Sequence, residues 1–205
     1  MGRMTLSAVA APLLWQRAAA LFERQEEWSA AASCWLKAGS GERAAASCRQ
    51  GGRLLAAAFL LVDAGRISEA LRCFESVLEP PERDDPESRI ASRLGTAACL
   101  ILQETAAKRC RLLYREARAM LAELDPQWPP LKTGRCWELL GWFGKTVNRY
   151  DLLQVGYEQA LACYGARLNS ERRRAVRDYL AAVRDNQQLI AALEIRSAEW
   201  ELLGE

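Results

Sequence analysis

The chain has 205 residues, a formal net charge of +2 at pH 7 and a composition that is 50% hydrophobic. This length suits one compact domain or one elongated array of helical hairpins, and the near-neutral charge by itself selects no class of partner. The sequence contains no histidine, which excludes Ser–His and Cys–His nucleophile pairs, histidine general bases and histidine-ligated metals.

Other catalytic and cofactor signatures are missing from the sequence as well. It has no GxxxxGK[ST] phosphate loop, no GxGxxG and no GxSxG. Seven cysteines are scattered without a CxxC pair, so we expect buried, reduced thiols that act as small apolar groups. We therefore predict no enzyme activity, no cofactor and no metal. The reduced thiols predict a cytoplasmic compartment, and no apolar run reaches the roughly 20 residues that cross a bilayer.

The first part of the chain reads as a series of short helices, because sustained period-2 runs of β-branched residues are lacking. Pro12 is expected to open the first helix. Its predicted apolar stripe consists of Leu14, Ala18, Leu21 and Phe22. Glycines and prolines then predict helices over residues 28–37, 42–49, 54–64 and 68–78. The fold class we predict is all-α.

The second part of the chain is expected to contain two long helices. Residues 87–124 repeat apolar side chains every three or four positions without a proline, which predicts one long central helix, or two helices with a kink near residues 104–108. Residues 125–134 (DPQWPPLKTG) are the predicted Pro-rich linker. A last helix starting at Asn169 or Ser170 is expected to reach about Leu203. It either folds back on the protein or pairs with another copy or a partner helix.

Residues 137–161, WELLGWFGKTVNRYDLLQVGYEQAL, resemble a tetratricopeptide (TPR) repeat. The matching positions are Trp137, Leu140-Gly141, Tyr150, Tyr157 and Ala160-Leu161. Gly144 stands where the pattern has a tyrosine and Leu153 where it has a small residue, so we expect atypical packing there. Residues 15–38 and 54–74 can be aligned with the same TPR pattern, which we call the TPR frame; they match it in residue size but not in residue identity. An irregular helical bundle is the alternative fold.

The resemblance implies a short α-solenoid of stacked antiparallel hairpins, with the two long helices capping or crossing it. The expected parts are TPR-like hairpins and the long helix over residues 1–124, the linker over 125–134, and one hairpin with the terminal helix over 135–205. TPR arrays bind peptides or partner helices on a concave face. That face would present Phe59, Arg135, Glu138, Trp142 and Lys145, together with Gln16, Ala20 and Glu23 of the first unit. Alternatively, Trp142 and Phe59 pack against the long helices.

A second candidate surface is a basic stripe. Four cations at helical spacing share one face: Lys108, Arg111, Arg115 and Arg118. Glu116 and Glu123 offset them only in part. The stripe either contacts an acidic protein segment or a nucleic-acid backbone, or is a solvated face without a partner.

Two functions follow from these surfaces. The first is a non-catalytic adaptor, scaffold or regulatory subunit that binds a partner peptide or helix, with a homo-oligomer through the C-terminal helix as a further possibility. The alternative is a nucleic-acid-associated subunit of a ribonucleoprotein or defence-type complex that uses the basic stripe.

Overall fold

The computed structural model of the chain describes residues 5–78, 85–165 and 171–185. These residues form ten α-helices and no strand, which confirms the all-α prediction. The helices are α1 (Thr5–Arg24), α2 (Trp28–Lys37), α3 (Gly41–Gln50), α4 (Leu54–Asp63), α5 (Ile67–Leu78), α6 (Pro86–Leu102), α7 (Ala107–Ala122), α8 (Pro130–Thr146), α9 (Tyr150–Tyr164) and α10 (Glu171–Asp185). They belong to two compact units, residues 1–82 and residues 83–205.

In unit 1, each helix packs on the next one along the chain, from α1 to α5. Each pair of successive helices is joined by a turn of the same short length. The middle residue of each turn has a positive φ: Glu26, Gly39, Gly52 and Gly65. The N–H of the residue after it bonds to a carbonyl five positions back, as in Arg53 to Cys48, at 2.8 Å. These are Schellman motifs, in which left-handed backbone favours glycine.

These turns give unit 1 a strict period. Helices α2, α3, α4 and α5 begin at positions 28, 41, 54 and 67, which are equally spaced, and we call this spacing the helix period. Four alanines that follow the helix period are 0% exposed: Ala31, Ala44, Ala57 and Ala70. Each lies where one helix approaches its neighbours, and only a methyl group fits there.

Polar contacts between the helices of unit 1 repeat in the same way. Arg53 donates to the Ser29 hydroxyl at 3.2 Å, and Arg66, one helix period later, donates to Glu42 at 3.3 Å. The repeating element of the structure is therefore one helix and its turn. The TPR frame picks out α1–α2 and α4–α5, which do pack as pairs, but it leaves α3 unassigned although α3 is equivalent to its neighbours.

Helix α1 differs from its prediction in two respects. It begins at Thr5, so Pro12 lies inside it and does not open it. The alanines around Pro12 are strong helix formers that continue the helix through the proline. The predicted apolar stripe was wrong at two of its four residues, since Leu14 and Leu21 are 63% and 58% exposed, while Ala18 and Phe22 are half-buried and Ala19 is fully buried.

Glu23, which the TPR frame placed on the exposed surface, is half-buried on the inner side of α1. One Glu23 oxygen accepts hydrogen bonds from the Trp35 indole nitrogen and from the Ser47 hydroxyl, both at 2.8 Å. These two donors, on α2 and α3, hold the carboxylate inward, and Leu14 and Leu21 lie on the opposite side of the helix. A hydrophobicity pattern alone assigns the opposite face.

In unit 2, the predicted long central helix is two antiparallel helices, α6 and α7, which pack on each other. The chain reverses over residues 103–106, where Glu104 and Ala106 both have a positive φ. The Thr105 N–H bonds to the Leu100 carbonyl at 2.9 Å, which closes another Schellman motif. The alternative of two helices that divide near residues 104–108 is therefore confirmed, but the predicted kink is a full reversal of the chain.

The start of α6 is capped by Asp85, whose carboxylate accepts from the Ser88 N–H at 3.1 Å and the Ser88 hydroxyl at 2.8 Å. Burial by itself would raise the pKa of Asp85. The hydrogen bonds from Ser88 and the charge of Lys132 outweigh burial and hold this pKa below its ordinary value of 3.8.

We expect Asp85→Ala to lower the free energy of unfolding of unit 2 by about 1 kcal/mol at neutral pH, the usual value of an N-cap. Because the folded pKa is depressed, this stabilisation is present above the unfolded pKa and is lost as the pH falls through the folded one. Urea unfolding at about pH 7 and about pH 3 checks this. A difference between variant and parent that is equal at both pH values contradicts the assignment.

The α8–α9 hairpin is built on glycines. A Cβ added to Gly156 of α9 would lie 2.2 Å from the Gly141 backbone nitrogen of α8, and one added to Gly144 would lie 2.3 Å from the Leu153 nitrogen. The two backbones therefore touch directly. The predicted antiparallel hairpin and its atypical packing at Gly144 and Leu153 are both confirmed.

The predicted linker is not a boundary in the structure, since α8 begins at Pro130 and packs on α6. Lys132 lies 3.7 Å from Asp85 at the start of α6. The division between the units lies at residues 82 and 83 instead. The predicted terminal helix is described only as α10, which folds back so that Leu180 packs on Leu153 of α9. The rest of that prediction, up to Leu203, lies outside the described residues.

Candidate functional site

The predicted partner-binding positions of α8 lie at helical spacing, but one of them is not on the surface. Glu138 is only 9% exposed and accepts a hydrogen bond of 2.6 Å from the Tyr164 hydroxyl of α9. The reason is Gly134, because a Cβ there would lie 2.3 Å from the Tyr164 ring. The missing side chain lets the ring reach along α8 to Glu138. The expectation that Glu138 is exposed was therefore wrong.

The other α8 positions contact helices of the same unit. Arg135 forms an ion pair of 2.5 Å with Glu87 of α6. The Lys145 ammonium lies 5.3 Å from the centre of the Tyr179 ring of α10, and Trp142 is half-buried. The structure thus does not bring these four residues together as one open surface, since α6 and α10 occupy parts of the face.

Phe59, the predicted site residue of unit 1, is half-buried on α4. Its ring meets Phe74 of α5 edge-to-face, with centroids 5.4 Å apart and an interplanar angle of 82°. Such a pair contributes about 1 kcal/mol beyond the buried area. Phe59 therefore packs on its own helix pair, through Phe74 of α5.

The basic stripe lies on α7 as predicted. Lys108, Arg115 and Arg118 are exposed and Arg111 is half-buried, on the side of the helix away from its buried residues. The buried residues are Cys110, Leu113, Ala117 and Leu121. Residues 108–118 extend over about 15 Å of helix at 1.5 Å per residue.

Exposed Leu112 was missed by the sequence reasoning. It is 57% exposed and follows Lys108 by four residues and precedes Arg115 by three, so it lies next to both along one edge of the stripe. The spacing of Leu112 from Lys108 and Arg115 indicated that the three residues are neighbours on the helix, but the predicted stripe included charged residues only. We call the surface formed by Lys108, Arg111, Leu112, Arg115 and Arg118 the α7 basic face.

The positive charge of the α7 basic face is offset less than the sequence indicated. Glu116 forms an ion pair of 2.8 Å with Arg93 of α6, so its charge is compensated by a cation outside the face. Among the described residues, no carboxylate pairs with Lys108, Arg115 or Arg118. The first turn of α7 also has no acidic residue and no side-chain cap. The positive end of the helix dipole therefore adds to the local potential.

Helix α7 is held in place by an aromatic contact. The Tyr114 ring stacks on Phe143 of α8, with centroids 5.5 Å apart and planes inclined by 19°. Burial raises the pKa of Tyr114, while the positive charges of Arg118 and Arg149 oppose the rise. The contact fixes the orientation of α7, and hence the direction in which its cations point.

The cysteines behave as small apolar groups, as predicted. None of the seven forms a disulfide, and six of them are buried. Burial raises the pKa of Cys110 to about 11 and that of Cys136 to about 12, so both thiols stay protonated at neutral pH. Within the described ranges, no three His, Cys, Asp or Glu side chains are arranged to hold a metal ion, and no helix is long and apolar enough to cross a membrane.

Comparisons of the chain with protein-family models, curated proteins and solved structures found no match. The likeness to TPR proteins consequently rests on the sequence pattern alone, which is clearest over residues 137–161.

Proposed function

We propose that the chain is a non-catalytic, TPR-like helical scaffold that binds another protein, and that the α7 basic face is the surface it uses. The observation that carries this proposal is a group of three exposed cations, with no carboxylate partner among the described residues, beside an exposed leucine. A rigid helix that presents charge next to an exposed apolar side chain has features of a binding surface.

The chemistry of the face selects an acidic protein segment that carries one apolar side chain. Carboxylates of the segment would pair with Lys108, Arg115 and Arg118, and its apolar side chain would cover Leu112. Exposed ion pairs contribute mainly to orientation and to the rate of association, whereas burial of Leu112 contributes to affinity.

A nucleic-acid backbone is the second candidate, and it is favoured by the same row of cations over about 15 Å. Two observations make it second. Leu112 offers nothing to a phosphate backbone, and the formal net charge of the chain is only +2. Strong dependence of binding on salt concentration distinguishes this candidate from the first.

The test is the double charge reversal Arg115→Glu with Arg118→Glu. A suitable probe is a fluorescent peptide of about 12 residues, rich in Glu and Asp, with a central leucine and prolines that prevent helix formation. We expect the reversal to weaken binding of this peptide by about tenfold, equal to about 1.4 kcal/mol, in a fluorescence anisotropy titration.

The matched control is Arg174→Glu, because Arg174 is another exposed arginine on a helix of the same unit. It should leave the affinity unchanged. Equal losses in the control and the double reversal, or no binding by the parent protein, would refute the acidic-segment proposal. Binding to single-stranded RNA that falls steeply with salt and is lost in the double reversal would support the second candidate instead.

A further inference from the structure

The outward side of α1 is an apolar row flanked by cations. Leu14 and Leu21 are 63% and 58% exposed and lie two helical turns apart, so they share one face of the helix. Arg17 and Arg24, both exposed, follow them on one flank. Half-buried Ala18 lies on the other flank and leaves room for a close neighbour. We call Leu14, Arg17, Leu21 and Arg24 the α1 outer face.

The helix period shows what this position does in the other helices. Moving from Leu21 along the chain by whole helix periods leads to Cys34, Ser47, half-buried Leu60 and Cys73. Cys34, Ser47 and Cys73 are 6%, 1% and 6% exposed. The Ser47 hydroxyl of α3 bonds to Glu23 of α1, two helices earlier. In α3, this position therefore contacts the helix that lies two before it, whereas Cys34 is buried although α2 has no such predecessor among the described residues. Helix α1 has no such predecessor among the described residues, and its residue at this position is a leucine.

One equivalent of Arg17 reaches the helix two before its own, whereas another, Arg43 of α3, lies over the Trp35 ring of the adjacent helix. The equivalent residue of α5 is Glu69, four helix periods later, and Glu69 pairs at 3.4 Å with Arg49 of α3, again two helices earlier. A helix docked on α1 in the same way would place a side chain opposite Arg17. Because the charge on α1 is positive, the complementary side chain is a carboxylate.

We propose that the α1 outer face docks an acidic amphipathic helix of another protein, which continues the layer formed by α1, α3 and α5. Its apolar row covers Leu14 and Leu21, and its carboxylates pair with Arg17 and Arg24. This is a second surface, on a different unit from the α7 basic face, and it does not depend on the function proposed for that face.

Charge argues against a second copy of the chain as the occupant. In an antiparallel pair of α1 helices with Leu14 against Leu21, the two Arg17 side chains would lie opposite each other. The nearest carboxylate of the helix, Glu23, is turned inward to Trp35 and Ser47. A second α1 would therefore bring like charges together without compensation, and like charges across a helix pair destabilise it.

The probe is a synthetic peptide of about 18 residues that forms a helix with leucine and alanine along one side and glutamates flanking them. A second peptide carries lysine in place of every glutamate. We expect the protein to bind the glutamate peptide, and Leu14→Ala with Leu21→Ala to weaken this binding at least about tenfold. Leu36→Ala, which removes an exposed leucine of α2, is the matched control and should bind like the parent.

Charge reversal gives a result that misfolding cannot imitate. Arg17→Glu with Arg24→Glu should lose the glutamate peptide and gain the lysine peptide. The double reversal on α7 should keep the glutamate peptide, which separates failure of this proposal from failure of the proposed function. Binding of both peptides equally, or of neither, would overturn the proposal. It would also be overturned by a dimer of the protein alone that Leu14→Ala with Leu21→Ala dissolves, or by binding to phosphatidylserine vesicles that the same variant abolishes.

Discussion

Replacing Gly156 by alanine is expected to lower the free energy of unfolding of unit 2 by about 2 kcal/mol, because it overpacks the contact between α8 and α9. The added Cβ would lie 2.2 Å from the backbone nitrogen and 2.7 Å from the Cα of Gly141. Neither atom can rotate away, so α8 and α9 must separate. Overpacking of this kind costs about 1–3 kcal/mol and sometimes more, against a gain of about 1 kcal/mol from the better helix propensity of alanine. The cost of the clash exceeds the gain in helix propensity, so we expect Gly156→Ala to destabilise unit 2.

The measurement is urea unfolding followed by circular dichroism, with hydrogen exchange of the α8 and α9 amides to locate the loss. Gly41→Ala is the control, because Gly41 also lies in a helix but a Cβ there meets nothing within 4 Å. It should stabilise the protein by up to about 1 kcal/mol. We therefore expect the free energy of unfolding to fall in Gly156→Ala and to rise in Gly41→Ala. A Gly156→Ala variant with an unchanged free energy of unfolding would show that the two backbones are not in contact.

The α8–α9 hairpin was predictable from sequence because its glycines interrupt an apolar pattern at regular places. Gly141 is part of the TPR-like pattern, and Gly144 was identified as a departure from it. The structure gives the physical reason, since the Leu153 backbone lies where the pattern's tyrosine would be. What could not be predicted is the inward turn of Glu138, because this depends on how far the Tyr164 ring reaches past Gly134.

Helices α2 to α5 of unit 1 were predicted nearly to the residue, but their equivalence was missed. The TPR pattern describes a pair of helices, so a comparison with this pattern does not reveal a repeat that consists of one helix. The equally spaced glycines Gly39, Gly52 and Gly65 carried that signal. The face of α1 could not be predicted from the apolar pattern of the helix, because the contacts of its buried side, such as those of Glu23 with Trp35 and Ser47, involve later helices.

The two candidate surfaces also differ in how far the sequence predicted them. The α7 basic face was predictable, because charges at helical spacing on an amphipathic helix point away from its buried side. The α8 surface was not, since Arg135 and Lys145 are engaged by α6 and α10, and those contacts depend on tertiary packing. Spacing along a helix assigns residues to one face, but only packing decides whether that face stays open.

Replacing Ala44 by leucine is expected to lower the free energy of unfolding of unit 1 by about 2 kcal/mol, again through overpacking. Ala44 is 0% exposed and lies on α3, which packs against α2 on one side and α4 on the other. The larger side chain has no space there, and both neighbours must move. Overpacking in cores costs about 1–3 kcal/mol, and leucine has nearly the helix propensity of alanine, so packing accounts for the effect.

The matched control lies in the same helix. Ala46 is exposed, and Ala46→Leu should change the free energy of unfolding by less than about 0.5 kcal/mol. The helix period gives a further prediction. Ala31→Leu and Ala57→Leu, one helix period to either side of Ala44, should destabilise unit 1 by amounts similar to that of Ala44→Leu. The urea concentrations at the midpoint of unfolding of the four variants test these predictions. If Ala44→Leu and Ala46→Leu unfold at the same urea concentration, the register of α3 and the helix period are both refuted.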